Sequence, residues 1–340
     1  MDTLYEYATK EMKESIEYFF ITIDETDHLS SITEKTLESK PVRDMLLAGK
    51  SLSPENIDAQ AAARELSRVE SVPFDVERGA SYSVYHSSRF YIDDLIEKAY
   101  QLSNQCTSLD PQDIADNPYL LPIWQAMLNI PSKAAMKNLF GSVSDRHLSR
   151  NAAEKISEYA NSYFQNHSIN RAQIKERTER TLEGIVRDLV GRLLFESIVK
   201  NALESKGIPF TPEEECSGLS GVIYSHRPDF VIPNEDDPIA FIEVRKSSSR
   251  HASLYAKDKM FSAINWKGKH PKMLAILFTE GEWTRESLIT MAKVFDYVVP
   301  VSRAMELAEK IKDYMNGDDS ILKWIIQFDI QQNNESLSTE

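Results

Sequence analysis

Cysteine is scarce: Cys106 and Cys216 are the only two in 340 residues. Two thiols exclude a disulfide framework and any four-thiolate zinc site. No run of about 18 apolar residues occurs, so no membrane-spanning helix is expected. The N-terminal MDTLYEYATK has neither a basic nor an apolar leader region, so no signal peptide is expected. A cytoplasmic setting follows as the expectation. Glycine is held to 11 residues and proline to 14, with no Gly/Ser linker and no internal repeat. Neither Gly-x-Gly-x-x-Gly nor a Walker loop is present, which argues against nucleotide-driven chemistry. The seven histidines (28, 86, 147, 167, 226, 251 and 270) include no i, i+4 metal pair, which excludes a zincin. Ser217-Gly218-Leu219-Ser220-Gly221 lacks the spacing of a nucleophile elbow.

What is present is ordinary globular composition, 41% apolar and 27% charged. Acids outnumber bases 53 to 39, giving −14, which taken alone disfavours a nucleic-acid partner. The distribution reverses that reading. Arg245, Lys246, Arg250, Lys257, Lys259, Lys267, Lys269 and Lys272 lie in one stretch whose single acid is Asp258, a local charge of +7. Phosphate binding needs positive charge at the contact, not over the whole surface. The ordinary alternative is a solvated, lysine-rich helix face.

Helical spacing marks 11–20, 87–102 and 151–164, separated by proline-containing breaks. Residues 1–168 therefore read as a mostly helical region serving recognition, dimerisation or scaffolding. A long helix is expected over 171–205, closed by Gly207 with Pro209 beyond it. The period then changes. Short β-rich runs occur at 208–210, 221–224, 229–232 and 239–244. Helix is expected at 253–266, strand at 272–278, helix at 283–295, strand at 296–301, and helix again at 303–315 and 321–328. The fold class is α/β (α+β), a mixed central sheet flanked by helices. The core occupies 169–316, and 317–340 forms a C-terminal helix and polar tail.

Chemistry concentrates in two strands. Arg227-Pro228-Asp229-Phe230-Val231-Ile232 is followed, after a turn, by Ile239-Ala240-Phe241-Ile242-Glu243-Val244-Arg245-Lys246. In a hairpin, Asp229 and Glu243 can share an open end, and strand alternation puts Glu243 and Arg245 on one face. Two hard oxygen ligands beside a cation suit Mg²⁺ at a phosphate. Strand-end carboxylates in salt bridges are the ordinary alternative. Projected at 100° per residue, Leu182, Ile185, Val186, Leu189 and Leu193 form one apolar stripe, and Glu196 falls inside it. A carboxylate aimed at a core needs a partner; the local alternatives are Arg192 and Lys200.

This pattern resembles the PD-(D/E)XK, or restriction-endonuclease-like, nuclease superfamily. Pro228-Asp229 matches its Pro-Asp, and Glu243-Val244-Arg245 its Glu-x-Lys. Gly191, Glu196 and Gly207 look like the leading helix of its Holliday-junction resolvases. The resemblance covers about a third of the chain, and its large helical N-terminal part is most like a type II restriction enzyme. It implies a metal-dependent endonuclease acting on double-stranded DNA in prokaryotic defence as a homodimer, with Mg²⁺ as cofactor and Mn²⁺ able to substitute. Asp229, Glu243 and the Val244 carbonyl would bind the metal. Glu196 would hold a metal-bound water or a second ion. Arg245 replaces the family's lysine and stays protonated. Behind Arg245, the expected order of amine candidates is Lys257, Lys246 and Lys259. Lys246, Ser247, Ser248, Arg250, Lys259, Lys267 and Lys269 are the expected DNA contacts. Two other readings stand beside this one: a nuclease-like DNA-binding protein without turnover, and a helical protein-interaction module. The residues do not separate DNA from RNA.

Overall fold

A computed structural model describes residues 1–26, 29, 31–248 and 251–331. The chain forms two compact units, Met1–Leu194 and Phe195–Glu340. The division falls within the long helical run, not at 168. Among the described residues no helix is long and apolar enough to cross a membrane.

The first unit is helical: α1 (Leu4–Glu25), α2 (Lys40–Gly49), α3 (Ala59–Arg68), α4 (Val76–Leu102), α5 (Pro111–Asp116), α6 (Leu121–Met127), α7 (Lys133–Phe140), α8 (Arg150–Asn166) and α9 (Arg171–Leu189). Side-chain caps set where several of these begin. Thr3 and Glu6 close a capping box at α1. Asp58, Asp75, Ser132 and Ser149 accept from the first-turn amides of α3, α4, α7 and α8. In α1 the buried residues Leu4, Ala8, Met12, Ile16 and Phe19 recur at helical spacing. That stripe, with α2, packs against α4.

The run expected as one helix over 171–205 is interrupted by a π-helical turn, Val190–Phe195, before α10 (Glu196–Ser205). A π turn holds about one extra residue, which rotates the faces beyond it. Leu193, expected in the stripe, is half-buried, while Leu194, Phe195 and Val199 are buried. The end of α10 follows expectation. Gly207 has φ +64, its amide donates to Glu204 O (3.0 Å), and Ile208 N donates to Leu203 O (3.0 Å). This is a Schellman closure, which glycine adopts without strain.

The second unit carries a mixed sheet. Its strands are β1 (Thr211–Pro212), β4 (Phe230–Ile232), β5 (Ala240–Ser247), β6 (Leu274–Gly281) and β7 (Tyr297–Val299), in the order β1-β4-β5-β6-β7. The β1–β4 and β4–β5 pairs are antiparallel; β5–β6 and β6–β7 are parallel. Helix α11 (Ala252–Lys269) crosses between β5 and β6, as a parallel connection requires, and α12 (Arg285–Met291) and α13 (Ala304–Met315) complete the unit. One face of the sheet packs Val231, Phe241, Ala275 and Leu277 against Ala256, Ala263 and Trp266 of α11.

Several expected elements shift. The strand expected at 208–210 is β1, slightly later. Residues 221–224 are the turn of a separate hairpin, β2 (Leu219–Ser220) with β3 (Ser225–His226). Buried Asn265 holds that turn, accepting from Ile223 N (2.8 Å) and donating to Tyr224 O (3.0 Å). Only glycine fits at 221, because a Cβ there would lie 1.9 Å from Asn265 Nδ2. The helix expected over 283–295 contracts to α12, capped by Thr284.

The helix expected over 321–328 does not form. The turn Asp319–Ile321 is 3₁₀, and irregular chain follows to Gln331. The reason is Asp296. Its Oδ1 accepts from Lys323 N and Trp324 N (2.8 Å each), so these amides are bonded outside any helix. Its Oδ2 accepts from Lys267 Nζ (2.6 Å) and Ala275 N (2.8 Å). Lys267, expected as a DNA contact, is therefore a fully buried core residue. Burial pulls its ammonium pKa down, with the Asp296 hydrogen bond opposing.

Asp296→Ala leaves that ammonium buried without its partner. Denaturant titration should show a loss of about 3–5 kcal/mol. Lys269→Ala, at an exposed position, should cost less than about 0.5 kcal/mol. Equal losses would contradict the role given to the buried pair.

Candidate functional site

The register of the β4–β5 pair builds the site. Phe230 faces Ile242. Continuing the antiparallel register by one residue sets Asp229 opposite Glu243, and opposed residues project to the same face. Pairing of β4 stops at Phe230, whereas β5 continues along β6 to Ser247. Asp229 thus lies where the sheet narrows. Its Oδ2 accepts the Val244 amide at 2.6 Å, which fixes the carboxylate beside β5.

Helix α11 supplies the third group. Ala252, Ala256, Ala263 and Trp266 are its buried sheet-facing residues. Lys259 falls in the same stripe at helical spacing. Small alanines around it let the helix lie close, and the Lys259 ammonium bonds Glu243 Oε2. Glu243 is 1% exposed, and its other oxygen, Oε1, has no hydrogen-bond partner. Fully buried Phe241 and Leu277 share its face.

Arg245 lies two residues along β5 on the same face. Its guanidinium stacks on the Tyr255 ring at 4.1 Å, and its buried Nε has no hydrogen-bond partner. Tyr255 therefore orients the arginine while leaving donor capacity for an anion.

Burial dominates the electrostatics. Burial pushes the Glu243 carboxyl up from 4.5 to about 8; Lys259 opposes the shift and Asp229 adds to it. Asp229 is also raised, by burial first, with Lys259 and the Val244 amide pulling the other way. Burial lowers the Lys259 ammonium, but Glu243 and Asp229 outweigh it and the net shift is upward. Burial thus favours the protonated form of both carboxyls, and the Lys259 ammonium between them opposes it.

The structure brings together Asp229, Glu243, Val244 and Arg245 from the expected set, with Val244 entering through its amide. The order expected among the lysines is corrected. Lys257 is exposed, about 160° round the helix from Lys259. Lys259, expected as a DNA contact and ranked last as an amine, is the one on Glu243. Projecting α11 at 100° per residue would have found it in the alanine stripe. Glu196 is half-buried in the first turn of α10. One turn to either side, Arg192 lies 3.9 Å from Asp188 and Lys200 lies 4.0 Å from Glu204.

Among the described residues, the positive stretch does not form one patch. Helix α11 has 18 residues and spans about 27 Å. That length separates Lys269 from the end of β5 that carries Lys246 and Ser247, and from Ser248 just beyond it. Lys246 is half-buried, Ser247 is buried, and exposed Ser248 lies 3.3 Å from His251 Nδ1. Arg250 lies outside the described residues.

Comparison with family models, curated proteins and solved structures finds no match.

Among the described residues, no three carboxylate, imidazole or thiolate groups are placed to hold one metal ion. Glu196 therefore does not complete a three-ligand set with Asp229 and Glu243. The pair still fits Mg²⁺, which is commonly held by one or two carboxylates, with water and substrate phosphate filling its shell. The unpaired Glu243 Oε1 is the spare donor such an ion needs.

The raised pKa of Glu243 sets a sign for stability. The folded chain holds this proton more tightly than the unfolded chain, a contribution fully present below about pH 4.5 and lost as pH rises through about 8. Thermal midpoints of the native chain should fall more steeply from pH 6 to 9 than those of Glu243→Gln. Parallel curves would contradict the shift.

Proposed function

We propose that this protein is a metal-dependent endonuclease of the PD-(D/E)XK type that hydrolyses phosphodiester bonds in double-stranded DNA. One observation carries the proposal: Asp229 and Glu243 lie at the end of an antiparallel strand pair, with the Lys259 ammonium on Glu243. An acid pair with an amine is the set required to bind a hard cation and offset charge on a phosphate. The sheet supports the reading, because an antiparallel pair followed by two helix-linked parallel strands is the core the resemblance implies.

Asp229 and Glu243 would hold Mg²⁺, which when bound polarises the phosphate and lowers the pKa of a coordinated water. Glu243 must release its proton to bind the ion, so binding strengthens with pH. Lys259 neutralises the acid pair and offsets charge developing at phosphorus. Lysine is thus present, supplied by α11 and not by the strand position that holds Arg245. Arg245, steadied by Tyr255, donates its unpaired Nε–H to a phosphate oxygen. A two-fold pair of chains would set one such centre on each antiparallel DNA strand.

Incubation of plasmid and phage DNA with the protein and Mg²⁺ or Mn²⁺ tests this reading. Discrete, EDTA-sensitive products are expected. Asp229→Asn, Glu243→Gln and Lys259→Met should each lower the rate by about a hundredfold or more. Lys257→Ala should leave it unchanged. Cleavage that survives Asp229→Asn, or no cleavage with either metal, would overturn the assignment.

A further inference from the structure

The helical unit Met1–Leu194 holds a second feature unrelated to the strand carboxylates. A cavity of about 200 Å³ opens between α1, α2 and α4. Glu11 and Glu14 line it from α1, Asp44 from α2, and Tyr82 from α4, with Tyr18 beside them. Lys40 is the one lysine in its wall.

Asp44 is 6% exposed. Lys40 bonds its Oδ2, but Oδ1 is buried with no hydrogen-bond partner. A buried carboxylate oxygen without a donor is costly, and an incoming cation relieves it. Glu11 Oε2 accepts a neutral hydroxyl there, from Ser87 at 2.5 Å. The Tyr82 phenol is raised by burial and then by Asp44 and Glu55, in keeping with a negative field in the cavity. Tyr82 also stacks on His86 at 6.0 Å, forming an aromatic wall.

Charge on two helices and aromatic rings between them define the ligand. The carboxylates do not form a metal-ligand group among the described residues. Aromatic faces attract alkylammonium groups and cover methylenes. The volume corresponds to roughly six water molecules, a match for a short chain with an amine at each end. We propose that this cavity binds an aliphatic diamine as its dication, one ammonium on Asp44 and the other on Glu11 and Glu14, with the methylenes against Tyr18 and Tyr82.

Calorimetric titration of 1,4-diaminobutane into the full chain at 0.15 M salt tests this. One saturable site is expected. Binding should weaken about tenfold or more for butylamine and for Asp44→Asn. Tyr82→Leu should weaken it too, and Glu243→Gln in the other unit should not. If Asp44→Asn fails to fold by circular dichroism, Glu14→Gln at the exposed rim is read in its place, with weakening again expected. No saturable heat at millimolar ligand would overturn the proposal. So would binding that Mg²⁺ removes equally well and these variants leave intact, the signature of counterions on an acidic surface.

Discussion

The burial of Glu243 is the constraint on which the second unit depends. A carboxyl at 1% exposure, beside a second carboxyl, is tolerated only with a cation at hand. Lys259 supplies that cation. It reaches the sheet because α11 presents alanines at 252, 256 and 263 and so lies close to β5. Short β4 ends where Asp229 must turn over the Val244 amide. Sheet register, helix composition and strand length therefore converge on one buried cluster. A core tuned for stability alone would place an apolar side chain at 243, as it does at Phe241 and Leu277. Keeping an acid there, with one oxygen unpaired, costs stability and points to a task for that oxygen.

Asp296 makes a useful contrast. It too is fully buried and faces a lysine, but both of its oxygens are saturated by Lys267 and three backbone amides. That pair is structural: it pins the irregular C-terminal segment to the sheet. The difference between the two acid–lysine pairs lies in their spare donor and acceptor capacity, not in their charge.

The sequence made the order of elements in the core legible because each strand is a short apolar run between turn residues. Asp229 and Glu243 were legible as a hairpin pair for the same reason. Lys259 stood last among the amine candidates because a charged stretch was read along the chain and not around the helix. Lys267 misled for the same cause, since charge alone does not tell a buried lysine from a solvated one. The turn at 221–224 depends on Asn265, some forty residues away, and the irregular chain after Ile321 depends on Asp296. Such long-range hydrogen bonds leave no local pattern. The π turn at Val190–Phe195 likewise broke a projection that assumed 100° per residue, and with it the expected placement of Glu196.

The central claim is that Glu243, beside Asp229, holds a proton that a divalent cation displaces. Calorimetric titration of Mn²⁺ into the full chain near pH 7.5, in two buffers of different ionisation enthalpy, measures this directly. The account predicts a saturable site whose apparent heat differs between buffers, showing proton release, and whose signal is lost in Asp229→Asn. A saturable site with identical heats in both buffers, or none at all, would contradict it.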